Sequence, residues 1–250
     1  MNVEFRHRIL AALCLTVLSI AGNAQSSSHA APSFAKPAAG PLKAAVNYGR
    51  LPLSFEPNMG QTSKQVQWLA HGPGYTLFLA GHDAVLELNK VSPVKAKKTE
   101  EPKISSLALR MNLMGASAGE RAIGDEPLRG KANYFTGRDP ARWQRNVPMY
   151  GKVRLNEVYP GVDLVYYGET GRLEYDFVVA PGADPSAIQL SFDGATPHLA
   201  DNGDLILPVD GTDVRFEKPV VYQSKDGTRQ PVEGSFAIAE NKREIGRAHV

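Results

Sequence analysis

Three carboxylates and two aromatic residues are the best candidates for chemistry in the 250-residue sequence. Glu174 and Asp176 stand two residues apart in Leu173-Glu174-Tyr175-Asp176-Phe177, and alternate residues of a strand share a face. Asp163 falls in the preceding segment, which would pair with theirs. Carboxyl groups about 5–5.5 Å apart serve retaining glycoside hydrolysis, and about 6.5–9.5 Å apart inverting hydrolysis. Residues i and i+2 of a strand lie roughly 6.5–7 Å apart, so the spacing permits such chemistry without arguing for it. The simpler expectation is a solvated strand face, where alternating acids are common. Trp143 and Tyr167 belong to an aromatic group that includes Tyr134, Phe135, Tyr150, Tyr159, Tyr166 and Tyr175. Flat amphipathic rings suit sugars or peptides, but β domains use them first to fill the core. Both uses stay open, and the candidate ligand-binding residues are Trp143, Tyr167, Asp163, Glu174 and Asp176.

Other chemistries have thinner support. His71 and His82 flank a predicted hairpin and His198 lies near another, without the close His/Asp/Glu spacing of a metal centre. Asp201-Asn202-Gly203-Asp204 superficially suggests calcium, yet it lacks the longer loop and terminal Glu of an EF-hand and reads as a hairpin turn. No cofactor is expected, and a weak calcium site elsewhere is left open. Gly-x-Ser-x-Gly does not occur, and Gly72-Pro73-Gly74 lacks the pattern of a phosphate-cradling loop. The reading therefore favours a domain without catalysis.

The elements that must position these residues are strands. Leu107, Leu109, Met111 and Leu113 alternate with Ala108, Arg110 and Asn112. Val162, Leu164 and Tyr166 alternate with Asp163 and Val165, and Leu173, Tyr175 and Phe177 with Arg172, Glu174 and Asp176. Period-two alternation predicts half-buried strands, and Val66, Trp68 and Ala70 suggest another. Turn residues separate them, with hairpins expected at Glu169-Thr170-Gly171 and at Asp201-Asn202-Gly203, where Asn-Gly suits a type I′ turn. Asn89 to Lys103, rich in Lys and Glu, reads as a solvated loop. The expected fold is an all-β, antiparallel, sandwich-like domain.

The chain opens with Arg6 and Arg8, an apolar run from Ile9 to Ala21, and Gly22-Asn23-Ala24. A basic end, a short apolar core and a small-residue exit describe a secretory signal peptide over residues 1–24, with too few apolar residues to span a bilayer. Residues 25–45, rich in Ser, Ala and Pro, read as a disordered tether. Cleavage would leave a net charge of about +1, which gives no support for a nucleic-acid partner. It would also remove Cys14, the chain's single cysteine, and with it any disulfide. The β-rich domain is expected over residues 46–243.

Several segments carry a resemblance: Leu53 to Gln61, Asn133 to Gly137, Trp143 to Tyr150, Val158 to Tyr167, Leu173 to Phe177, Ala180 to Pro185 and Lys218 to Gln223. Over about residues 50 to 240 they resemble the N-terminal domain of exported bacterial proteins that carry SBBP (β-propeller-type) repeats. The resemblance implies a β-rich domain of no established activity followed by repeats, and it brings no catalytic residues. Against it, residues 244–250 read as an artefactual tail and the domain as truncated at its C-terminal end. The expected role is a non-catalytic module of an exported cell-envelope or surface protein, periplasmic, outer-surface or extracellular. It would serve adhesion, assembly or presentation, with downstream repeats or envelope components as partners. The alternative is a carbohydrate-binding or carbohydrate-active domain with glycans as ligands. Neither reading needs a membrane span once the leader is removed.

Overall fold

The computed structural model describes residues 2–11, 52–91, 104–117, 121–169, 171–225, 228–239 and 244–246. The tether at 25–45, residues 12–24 of the leader and the charged stretch 92–103 lie outside the described residues. What is described is all-β: every strand pairing is antiparallel, and the helical geometry is limited to single 3-10 turns at Pro140–Arg142 and Pro185–Ala187.

The first half of the fold is a meander. Strands β2 (Phe55–Pro57), β3 (Trp68–Gly72), β4 (Tyr75–Ala80), β5 (Asp83–Val91) and β6 (Ile104–Leu113) pair in sequence order. The alternation read from residues 107–113 is present, with Leu109, Met111 and Leu113 buried and Ala108 and Arg110 exposed. Asn89 and Lys90, expected in a loop, continue β5 and pair with Ser106 and Ser105. Val66 precedes its strand and closes a turn by donating its N–H to the Ser63 carbonyl.

Two long strands escaped the sequence patterns. β7 (Ile123–Tyr134) and β8 (Gln144–Tyr159) pair along most of their length with register shifts. β7 is exposed almost throughout, so it carries no apolar alternation from which a strand could be read. β8 has β7 along one edge, while its other edge meets β2 at Tyr150 and then β9 (Val162–Glu169) from Val153 onward. It thus joins the meander to the second half of the fold.

In the second half, β9 pairs with β10 (Arg172–Val179), and β10 pairs on its far edge with β1 (Asn2–Ala11). The far edge of β1 takes β15 (Val220–Lys225) and then β14 (Thr212–Phe216), with β16 (Thr228–Val232) beyond β15. β12 (His198–Leu199) and β13 (Leu205–Val209) follow outward from β14. β11 (Gln189–Asp193) returns to pair with β6, and β17 (Glu244–Gly246) with β11.

The sheet curls around one apolar core. Phe192 of β11 meets Phe216 of β14 edge to face at 5.2 Å, and Phe216 meets Tyr175 of β10 at 6.3 Å. Tyr175 also contacts Phe177 at 5.8 Å and Tyr166 at 6.0 Å. Tyr166, Tyr175, Phe177 and Phe216 are fully buried, and burial pushes both tyrosine hydroxyls well above their ordinary pKa.

The turn at Asp201–Gly203 differs from the expected type I′. Of its residues only Gly203 has a positive φ, 87°, and the Ala200 N–H bonds the Asp204 carbonyl. This is a three-residue hairpin loop ending in a left-handed glycine. The two-residue turn with both φ positive falls instead at Asp210 (46°) and Gly211 (77°), between Val209 and Thr212. Asp204 holds the longer loop: it accepts from the Lys218 N–H at 2.8 Å, Asn202 Nδ2 at 2.8 Å and Arg215 Nη1 at 3.0 Å. Burial alone would raise its pKa, but these donors together outweigh it and hold the carboxyl below its usual value.

Truncating Phe216 to Ala should cost about 3–5 kcal/mol in urea unfolding, because it opens a cavity between two aromatic neighbours. Asp204→Asn should cost about 1–2 kcal/mol at neutral pH. A lowered folded pKa gives stability that is complete above the unfolded value near about 4 and is lost as pH falls through the folded value. The gap between Asp204→Asn and the parent chain should therefore shrink in unfolding curves taken below that pH.

Candidate functional site

The predicted carboxylates do share one face. In the β9–β10 register Asp163 opposes Val178, Val165 opposes Asp176 and Tyr167 opposes Glu174, so these six residues lie on the sheet face opposite Tyr166 and Tyr175. The expected solvated face, however, is not what they form. Glu174 is 5% and Asp176 8% exposed. β10 is a central strand with partners along both edges, and neighbouring side chains such as Tyr167 reach over it. The Tyr167 hydroxyl donates to Asp176 Oδ1 at 2.9 Å, and Lys152 Nζ lies 6.0 Å from the Tyr167 ring. Asp163 is held by Arg154 Nη1 at 3.1 Å and by the Glu157 N–H at 2.9 Å. That second bond holds an irregularity near the end of β8, where the register with β9 shifts and Glu157 has a φ of 47°.

Trp143 stands apart from this group. It precedes β8, whereas Val153 further along that strand opposes Tyr166. The nine steps from Trp143 to Lys152 span up to about 30 Å of extended chain. Trp143 instead forms a small surface cluster, edge to face with Phe135 at 5.2 Å, with the Arg145 guanidinium 5.3 Å from its ring and 5.5 Å from that of Phe135. Its indole N–H donates to the Gly137 carbonyl at 3.2 Å.

A polar chain that the sequence patterns missed runs from the interior to the surface beside β2. Glu56, 5% exposed, accepts the Tyr134 hydroxyl proton at 2.6 Å. His71 Nε2 lies 3.2 Å from the same hydroxyl oxygen, and Thr76 Oγ1 lies 3.4 Å from His71 Nδ1. Burial, followed by the hydrogen bond to Glu56 and its charge, pushes the Tyr134 pKa far above the ordinary value. Tyr134 therefore stays protonated and donates to Glu56. With that proton spent, the tyrosine oxygen is left as an acceptor toward His71 Nε2. The chain ties β2, β3, β4 and β7 together, and its outer member, His71, is exposed. Its sequence signal was the Glu in Phe55-Glu56-Pro57, an acid in an apolar strand context.

Next to it, Asn58 organises the loop that follows. Its amide donates to the Ser63 and Val66 carbonyls at 2.7 and 2.9 Å, and its oxygen accepts from the Gly60 N–H at 3.0 Å. The loop walls a cleft of about 730 Å³ lined also by Pro57, Lys64, Trp68 and Arg121. The Trp68 N–H is committed to the Ala122 carbonyl at 3.1 Å. Among the described residues no three His, Cys, Asp or Glu converge as a metal centre requires.

Tyr134→Phe should destabilise the chain by about 1–3 kcal/mol in urea, since Glu56 then loses its donor in a buried setting. Adding Glu56→Gln should recover part of that loss, which a double-mutant cycle would read as coupling.

No curated protein and no solved structure matches the chain. Residues 55–246 match one family, and they span β2 to β17 with the Glu56 chain, the carboxylate face and the aromatic core all inside them. The chain belongs to that family, described as DUF7948, a domain of unknown function.

Proposed function

We propose that this is a non-catalytic module of an exported bacterial cell-envelope or surface protein, serving adhesion, assembly or presentation of downstream repeats. The observation that carries the reading is the use of the carboxylates: Asp163 is bonded by Arg154 and the Glu157 N–H, and Asp176 accepts from the Tyr167 hydroxyl. Paired acids that act on a substrate need an open cleft between them. The motif residues that resemble SBBP-repeat proteins organise turns, as Asn58 does after β2. Likewise Asp184 caps the turn before Ile188 by accepting from the Ser186 N–H and hydroxyl, both at 2.9 Å. Among the described residues no helix is long and apolar enough to cross a membrane. The basic and apolar opening of the chain supports export.

One observation favours the carbohydrate reading: Phe135 is 59% exposed beside Trp143. Arg145 lies against both rings, which leaves less flat surface for a sugar to stack on.

The full chain should bind nothing reproducibly on a glycan array, with or without calcium. Binding that disappears with Trp143→Ala would replace the scaffold reading with a carbohydrate module. N-terminal sequencing of protein recovered from an expressing host's envelope should begin at Gln25, and an intact Met1 there would overturn export.

A further inference from the structure

The most unusual feature of the fold is where residues 2–11 lie. β1 is not an added edge: it fills a gap one strand wide, between β10 on one side and β15 and β14 on the other. Its pairing with β10 runs over seven residue pairs, from Val3↔Val179 to Ile9↔Leu173. The neighbours of that gap lie about 9.6 Å apart, twice the strand spacing, so without β1 two rows of backbone N–H and C=O groups would face each other unpaired. The register also separates two chemistries. Val3, Phe5 and Ile9 oppose Val179, Phe177 and Leu173, which are core residues, while Arg6 opposes Asp176 and Arg8 opposes Glu174. His7 stands opposite Tyr175 and Glu4 opposite Val178, so a segment that fits the gap needs apolar residues opposite Val179, Phe177 and Leu173 and basic ones opposite Asp176 and Glu174.

These same residues open the proposed leader. We propose that the gap is a strand-receiving slot, held in the precursor by residues 2–11. Once residues 1–24 are removed, an extended segment of another polypeptide with that arrangement of apolar and basic residues takes it. Backbone pairing along both edges supplies affinity, and the apolar row with Asp176 and Glu174 supplies selection. The inference rests on the export reading and names the partner for assembly. The slot is read in vitro and export by N-terminal sequencing, so failure of one is distinguishable from failure of the other.

The test uses the full chain with Cys14→Ser. Glu4→Cys with Val178→Cys, an opposed pair, should form a disulfide under mild oxidation. Arg8→Cys with Val178→Cys, displaced by about 13 Å along the strand, should not. A protease site placed within residues 25–45 then allows the folded chain to be cut. The cut chain should take up a fluorescent peptide of residues 2–11, read by polarisation, and the disulfide-locked chain should not. Arg6→Glu with Arg8→Glu in the peptide, which sets acids opposite Asp176 and Glu174, should weaken uptake about tenfold. Absence of the register-specific disulfide would overturn the slot. So would a cut chain that never exchanges its strand, or one that unfolds, since residues 2–11 would then be an integral strand.

Discussion

Everything else in the fold is arranged around the burial of Tyr175. Its ring touches Tyr166, Phe177 and Phe216, and through Phe216 it reaches Phe192. Those residues come from β9, β10, β14 and β11, so the contacts hold together strands that are not all hydrogen-bonded neighbours. Aromatic rings bury large areas and prefer the edge-to-face geometry seen here. Once β10 sits at the centre, its outward residues are enclosed as well, which is how two acids came to be buried on the far face.

Burying polar groups on that scale requires partners. Tyr159 shows one solution: its hydroxyl lies 3.0 Å from the Met114 and Gln189 carbonyls, at the seam between β8 and the β6–β11 pair. Tyr75 shows another, donating to the Gly171 carbonyl at 3.1 Å. Glu56 with Tyr134, and Asp204 with Lys218, Asn202 and Arg215, do the same with charge. Such groups stabilise mainly by the cost of leaving them unmade, so they select one register of strands over its slipped alternatives. That is a structural use of carboxylates, and it accounts for residue types that could otherwise be read as chemistry.

Four acids, Glu56, Glu174, Asp176 and Asp204, are buried, while others such as Asp125, Glu126 and Asp139 stay at the surface. β1 is where the backbone counts most. Among the described residues, β12, β13 and β14 reach the rest of the sheet by backbone pairing only through β1. β1 therefore joins two parts of the fold.

The sequence by itself determined the fold class, strands β6, β9 and β10 and the sharing of a face by Asp163, Glu174 and Asp176. Period-two alternation encodes these directly, because each residue's face is set by its own position in the strand. It also marked the hairpin at Asp201–Gly203, though not that the two-residue turn falls at Asp210 and Gly211. Only the tertiary structure decided that those acids are buried, since burial depends on what lies on both sides of β10. It alone revealed β7, whose exposed residues carry no apolar period, and the chain from Glu56 to Thr76, whose members come from four strands. It decided, too, that Trp143 packs with Phe135 and Arg145 while Tyr167 reaches Asp176, where the sequence offered only a list of aromatic residues. Proximity between distant segments is set by strand pairing, and pairing is a property of two strands that neither one's sequence states alone.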